Sequence, residues 1–133
     1  MCFEYCGVVM EISFGYSHYL KTYWYQGKLP TVKRGMYGGE LKKKGPNKTT
    51  LEHILPHSQG GKTTINNLGL ATLKNNNQRG CAPLQGDKII SDIIIYLRQF
   101  KNVVYGKLDG NRYISLIINT LDQLGIHIDR KVV

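Results

Sequence analysis

Acidic residues are scarce in this chain. Nine aspartates and glutamates stand against 18 lysines and arginines, a formal net charge of +9 and a pI near 9.5. That imbalance argues against a basic partner and for a polyanion, because lysines and arginines that neutralise phosphates gain affinity by releasing condensed counterions. Long apolar runs are missing as well. None approaches the roughly 20 residues that span a bilayer, so no membrane partner is expected. Cysteine is confined to Cys2, Cys6 and Cys81, an odd number at spacings that form no disulfide framework, and the three are read as free thiols in a reducing compartment. The start, Met1-Cys2-Phe3-Glu4-Tyr5-Cys6, lacks the basic residues, apolar stretch and small-residue cleavage site of an export signal, so a cytoplasmic location is expected. At 133 residues the chain has room for one domain, 1–133, and little more.

What is present divides the chain into four stretches. Residues 1–30 are rich in aromatics (Phe3, Tyr5, Phe14, Tyr16, Tyr19, Tyr23, Trp24, Tyr25), and the partial alternation over 8–14 predicts a strand, its aromatics facing the core rather than a ligand. Residues 31–50 are basic and broken by Gly35, Gly38, Gly39, Gly45 and Pro46, which predicts a hairpin with a long turn. Over 87–101, Ile89, Ile90, Ile93, Ile94, Leu97 and Phe100 recur at helical spacing, with Asp87 as the cap. A second amphipathic helix is expected over 111–124, with Ile114, Ile117, Ile118, Leu121 and Leu124 on one face and Gly125 as the stop. Both stripes are read as core, a dimer contact being the other use of such a face.

Between these helices and the basic stretch lies the segment that carries chemistry. Thr50-Leu51-Glu52-His53-Ile54-Leu55-Pro56-His57-Ser58-Gln59-Gly60-Gly61 reads as a short strand bearing an adjacent carboxylate and imidazole, broken by proline and paired glycines. Neighbours on a strand point to opposite faces. The pair therefore offers a hard oxygen ligand on one side and, on the other, a base that titrates near neutral pH. Downstream, Asn66-Asn67-Leu68 leads to Leu73-Lys74-Asn75-Asn76-Asn77-Gln78-Arg79-Gly80. Three successive asparagines are poor helix formers, so a short helix there suggests that side-chain carbonyls are wanted, an ordinary polar turn being the other reading.

Taken together, Glu52-His53-Ile54, Pro56, Ser58, Gly60-Gly61, Asn67-Leu68, Asn76 and Arg79-Gly80 closely resemble the pattern of the HNH endonucleases. The final position is Asn, as in the HNH domains of several CRISPR effector nucleases. The match covers about 29 of the 133 residues. It implies an α+β fold around a ββα-metal finger at about 35–80, with an N-terminal aromatic strand region and two C-terminal helices over about 87–125. The resemblance also implies roles. His53 is the general base that deprotonates water for attack on phosphorus, and Asn67 holds the loop and orients that histidine. Glu52 and Asn76 hold a divalent ion, Mg²⁺ or else Mn²⁺. From their clustering near the motif, Lys42, Lys43, Lys44, Lys62, Lys74 and Arg79 are read as phosphate contacts, a solvated surface being the alternative. The implied activity is metal-dependent nicking of DNA, double-stranded DNA first among substrates, with a homodimer as one route to a double-strand break.

One departure from the family pattern stands out. Many HNH proteins clamp the finger with zinc held by two C-x-x-C knuckles. Here Gly35-Met36-Tyr37-Gly38-Gly39 resembles the first knuckle with glycine in place of both cysteines, and Thr72 and Asn75 occupy the second. No structural zinc is expected; His57 is read as a surface or phosphate-contacting residue rather than a ligand, and His18 and His127 as structural. The alternatives are a non-catalytic DNA- or protein-binding module that keeps the finger as scaffold, or an RNA-cleaving relative.

Overall fold

The computed structural model describes residues 14–133, with side-chain surroundings from residue 20 onward. Helix α1 (Phe14–Tyr25) comes first. Strand β1 (Thr49–His53) pairs antiparallel with β2 (Leu68–Thr72), and α2 (Leu73–Arg79) follows directly. Then come α3 (Asp87–Arg98), the hairpin of β3 (Val104–Tyr105) with β4 (Leu108–Asp109), and α4 (Gly110–Gln123). Helices and small antiparallel sheets together make the chain α+β.

Three expectations need correction, one falls almost wholly outside the described residues, and one element was not anticipated. The predicted strand at 8–14 lies outside the described residues, apart from Phe14, which begins a helix. Leu20 is fully buried, and Tyr23 and Trp24 pack on the same core. That i, i+3, i+4 spacing is helical, and packing against the finger outweighs the aromatic preference for strand. Residues 31–50 do not form a regular hairpin: isolated bridges join Arg34 to Glu40 and Lys42 to Lys48, because the glycines bend the chain too tightly for a ladder to continue. Asp87 is not the cap of α3. Gly86, at φ 96°, takes the cap position in a conformation that costs glycine little, and Asp87 sits in the first turn, where its charge suits the helix dipole. The β3–β4 hairpin was not anticipated, its strands being only two residues each. Finally, Cys81 is disulfide-bonded, so the cysteines no longer argue for a reducing compartment. Cysteine spacing along a sequence does not report approach in space. Cys2 and Cys6 lie outside the described residues.

The two C-terminal helices seal β2, whose five residues are all buried. Leu70 N–H donates to the Tyr96 hydroxyl at 3.0 Å, the Tyr96 and Tyr113 hydroxyls share a bond of 2.9 Å, and Tyr113 donates to the Leu68 carbonyl at 2.6 Å. Backbone groups that would otherwise be exposed on a sheet edge are satisfied by tyrosines from α3 and α4. Asp109 caps α4 by accepting from the Asn111 and Arg112 amides. Tyr113, Ile114, Ile117, Ile118 and Leu121 are buried along its inner face. Burial of each such side chain contributes roughly 1.5 to 3 kcal/mol, against a total stability of roughly 5 to 15 kcal/mol for a domain. Deleting residues 111–133 is therefore expected to unfold the finger as well; a cooperative thermal melt of the truncated chain by circular dichroism would contradict this. Among the described residues no helix is long and apolar enough to cross a membrane.

Candidate active site in the ββα finger

The site is built on β1, whose side chains alternate between two faces. Glu52 and His53 are both 1% exposed, and they point into different surroundings.

On one face, Glu52 Oε2 accepts from Arg79 Nη1 at 3.2 Å, and the Tyr37 hydroxyl is hydrogen-bonded to the same carboxylate. Arg79 also donates to the Tyr37 hydroxyl, to the carbonyls of His53 and Ile54 and, through Nε, to that of Ala82. The guanidinium therefore meets one carboxylate, one phenol and three carbonyls, which absorbs its donor capacity. Burial pushes the Glu52 carboxyl up, while the Arg79 charge and the bonds from Tyr37 and Arg79 pull it down; the net direction is upward. Burial, with the Glu52 charge beside it, raises the Tyr37 phenol well above its ordinary value. The expectation that Arg79 contacts phosphates is corrected: its side chain is 7% exposed, and its charge is spent on Glu52 and on backbone.

On the other face, His53 Nε2 and Thr63 Oγ1 share a hydrogen bond of 2.9 Å. The His57 ring stands edge-on to His53, with centroids 5.9 Å apart. The loop 55–62 that carries His57 is fastened by Asn67. Asn67 Oδ1 accepts from Leu55 N–H at 2.8 Å, and its Nδ2 donates to the carbonyls of Leu55 and Lys62 at 3.1 and 3.0 Å. Gly61 is required in that loop, since a Cβ there would lie 1.7 Å from the Leu55 carbonyl oxygen. Asn67 thus holds the loop, while the residue hydrogen-bonded to His53 is Thr63. Sequence reasoning did not single out Thr63; its only signal is a small hydroxyl residue two positions after the paired glycines. Asn67 is 6% exposed, so Asn67→Ala removes three hydrogen bonds to part-buried loop backbone, each contributing about 0.5 to 1.5 kcal/mol. A clear fall in melting temperature and fast amide exchange at Leu55 are the expected readouts.

Helix α2 lies on the Thr50 side of β1. Asn76 Nδ2 donates to Thr50 Oγ1 at 3.0 Å and to the Leu51 carbonyl at 3.2 Å, which fixes the amide. Thr72 caps the helix by accepting from Asn75 N–H at 3.1 Å. The Asn75 amide reaches across to the carbonyls of Tyr37 and Gly38 at 3.2 and 3.1 Å. A Cβ on Gly35 would lie 3.2 Å from the Thr72 amide nitrogen. The four positions that resemble two metal knuckles thus converge, joined by hydrogen bonds.

A magnesium ion takes oxygen ligands in near-octahedral geometry and keeps several waters. The expected donors do not fit that demand. The Glu52 carboxylate is sealed and paired with a guanidinium, and a dication beside it would meet the Arg79 charge. Asn76 alone offers one amide oxygen.

Lys42, Lys43, Lys44, Lys62 and Lys74 are exposed. Leu73 and Lys74 N–H donate to the Lys48 and Pro46 carbonyls at 2.8 Å each, so Lys74 adjoins the segment that carries Lys42–Lys44. Lys42 pairs with Glu40 at 3.0 Å on the surface. Burial and the charge of nearby Lys48 lower the pKa of Lys21, which places a helix α1 cation beside the same basic segment, a neighbour the sequence did not reveal. Lys62 belongs to the His57 loop. No known protein family, curated protein or solved structure is matched by this chain.

Proposed function

We infer that this chain hydrolyses phosphodiester bonds of DNA, nicking one strand per site, with His53 as the general base. One observation carries the reading: a β1–β2–α2 unit seats His53, Asn67 and Asn76 at the spacing of the HNH pattern, with the four knuckle-like positions brought together behind it. His53 takes the proton of the attacking water, Thr63 holds the imidazole at Nε2, and Asn67 keeps the covering loop in register. The exposed lysines supply a cationic surface for the phosphate backbone.

A second reading, a binding module that keeps the finger without chemistry, is favoured by the near-complete burial of His53 and by the Glu52–Arg79 pair. Incubating the purified chain with supercoiled plasmid, single-stranded DNA and RNA, each with and without Mg²⁺ or Mn²⁺, separates the two. Relaxed plasmid supports the nuclease. Retarded but intact plasmid under every condition supports the binding module, and cleavage of RNA alone redirects the substrate.

A further inference from the structure

A second imidazole stands at the open side of the site, and nothing in the HNH resemblance gives it a role. His57 is half-buried where His53 is sealed, and the two rings lie 5.9 Å apart with 79° between their planes. That separation is too long for a direct bond between the rings. The edge-on contact places both imidazoles at one site, with His57 the more exposed of the two.

The position of His57 is set by the fold. Pro56 beside it is buried, and its carbonyl accepts from the Gln59 and Gly61 amides at 2.9 and 3.0 Å. The His57 carbonyl accepts from Gly60 N–H at 3.1 Å, and Asn67 ties both ends of the loop. A fixed, partly exposed imidazole at the site can serve proton transfer to a departing group that comes within hydrogen-bond reach.

The neighbouring groups are less suited to that task. Arg79 is committed to backbone and Glu52, and the Glu52 carboxylate is sealed on the opposite face of β1. Resting on the nuclease reading, we propose that His57 is the general acid that protonates the departing 3′ oxygen. As the water oxygen bonds to phosphorus, His53 takes the water proton. As the bond from phosphorus to the 3′ oxygen breaks, protonated His57 gives its proton to that oxygen, leaving a 5′ phosphate and a 3′ hydroxyl. The imidazoles end with exchanged protonation states, and solvent restores them by taking the proton from His53 and returning one to His57.

The test uses the full chain and two oligonucleotides, one natural and one with sulfur replacing the bridging 3′ oxygen at a single linkage. A thiolate departs without a proton. Wild-type cleavage of the natural strand establishes the nuclease reading; its absence ends that reading, and this inference with it. Given cleavage, His57→Ala and His57→Gln are expected to slow the natural linkage by about 10²-fold or more and to leave the sulfur linkage near the wild-type rate. Equal slowing on both linkages, or slowing on neither, overturns the assignment while the nuclease reading stands. His57→Gln keeps a polar side chain in the loop, and matched melting curves confirm that both variants are folded.

Discussion

Replacing His53 by alanine is expected to slow nicking by about 10² to 10⁴-fold, the usual worth of a general base. The structure adds a second consequence. His53 is 1% exposed and hydrogen-bonded to Thr63, so truncation also opens a cavity and removes that bond, a cost to stability as well as to rate. The two effects separate when rates are compared at a temperature where melting curves show both proteins folded. Thr63→Val is the control: it removes the hydrogen bond and keeps the imidazole, so it should cost stability and a smaller part of the rate. Nicking by folded His53→Ala at the wild-type rate would remove His53 from the chemistry.

The largest expected loss of stability is at the Glu52–Arg79 pair. Breaking a buried ion pair by removing one partner leaves an uncompensated charge and typically costs about 3 to 5 kcal/mol. Arg79→Met strands a carboxylate that is 1% exposed, and Glu52→Gln strands a guanidinium that is 7% exposed. Denaturant melts should show each single variant strongly destabilised and the double variant less so than the sum. Additive losses would mean that the two groups do not act as a pair. If Glu52 were instead free to ligate a metal, Glu52→Gln would move the Mg²⁺ titration of activity and leave the melt of the metal-free protein unchanged.

The same pair predicts a pH dependence. Burial raises the Glu52 carboxyl above its ordinary 4.5, so over that range the folded chain holds this proton more tightly than the unfolded chain does. The contribution of Glu52 to stability is then greatest below about 4.5, declines as pH rises toward its raised value, and is constant above it. In Glu52→Gln that decline should be missing from a series of melts at stepped pH.

Much of the frame was legible from local pattern. Ile93, Leu97, Ile114, Ile117, Ile118 and Leu121 repeat at helical spacing and are buried, because one stripe of an amphipathic helix must leave water. The strand carrying Glu52 and His53, the loop needing Gly61 and the short helix ending at Arg79 were legible too. Each depends on neighbours a few residues away in the chain: strand alternation and proline and glycine breaks.

Other assignments needed contacts between distant segments. Arg79 looks in sequence like one more phosphate-binding cation, yet its fate is decided by Glu52 and Tyr37, 27 and 42 residues earlier. Whether a charge faces water or a buried carboxylate is a property of packing, not of composition. The aromatic N-terminal stretch became a helix because Leu20, Tyr23 and Trp24 had a core to enter. His57 became the neighbour of His53, and Thr63 its hydrogen-bond partner, because Asn67 folds the intervening loop back on itself. Sequence alone determined which side chains were available for chemistry; the tertiary structure decided which were sealed and which face solvent, since burial and pairing are set by elements that meet only in the folded chain.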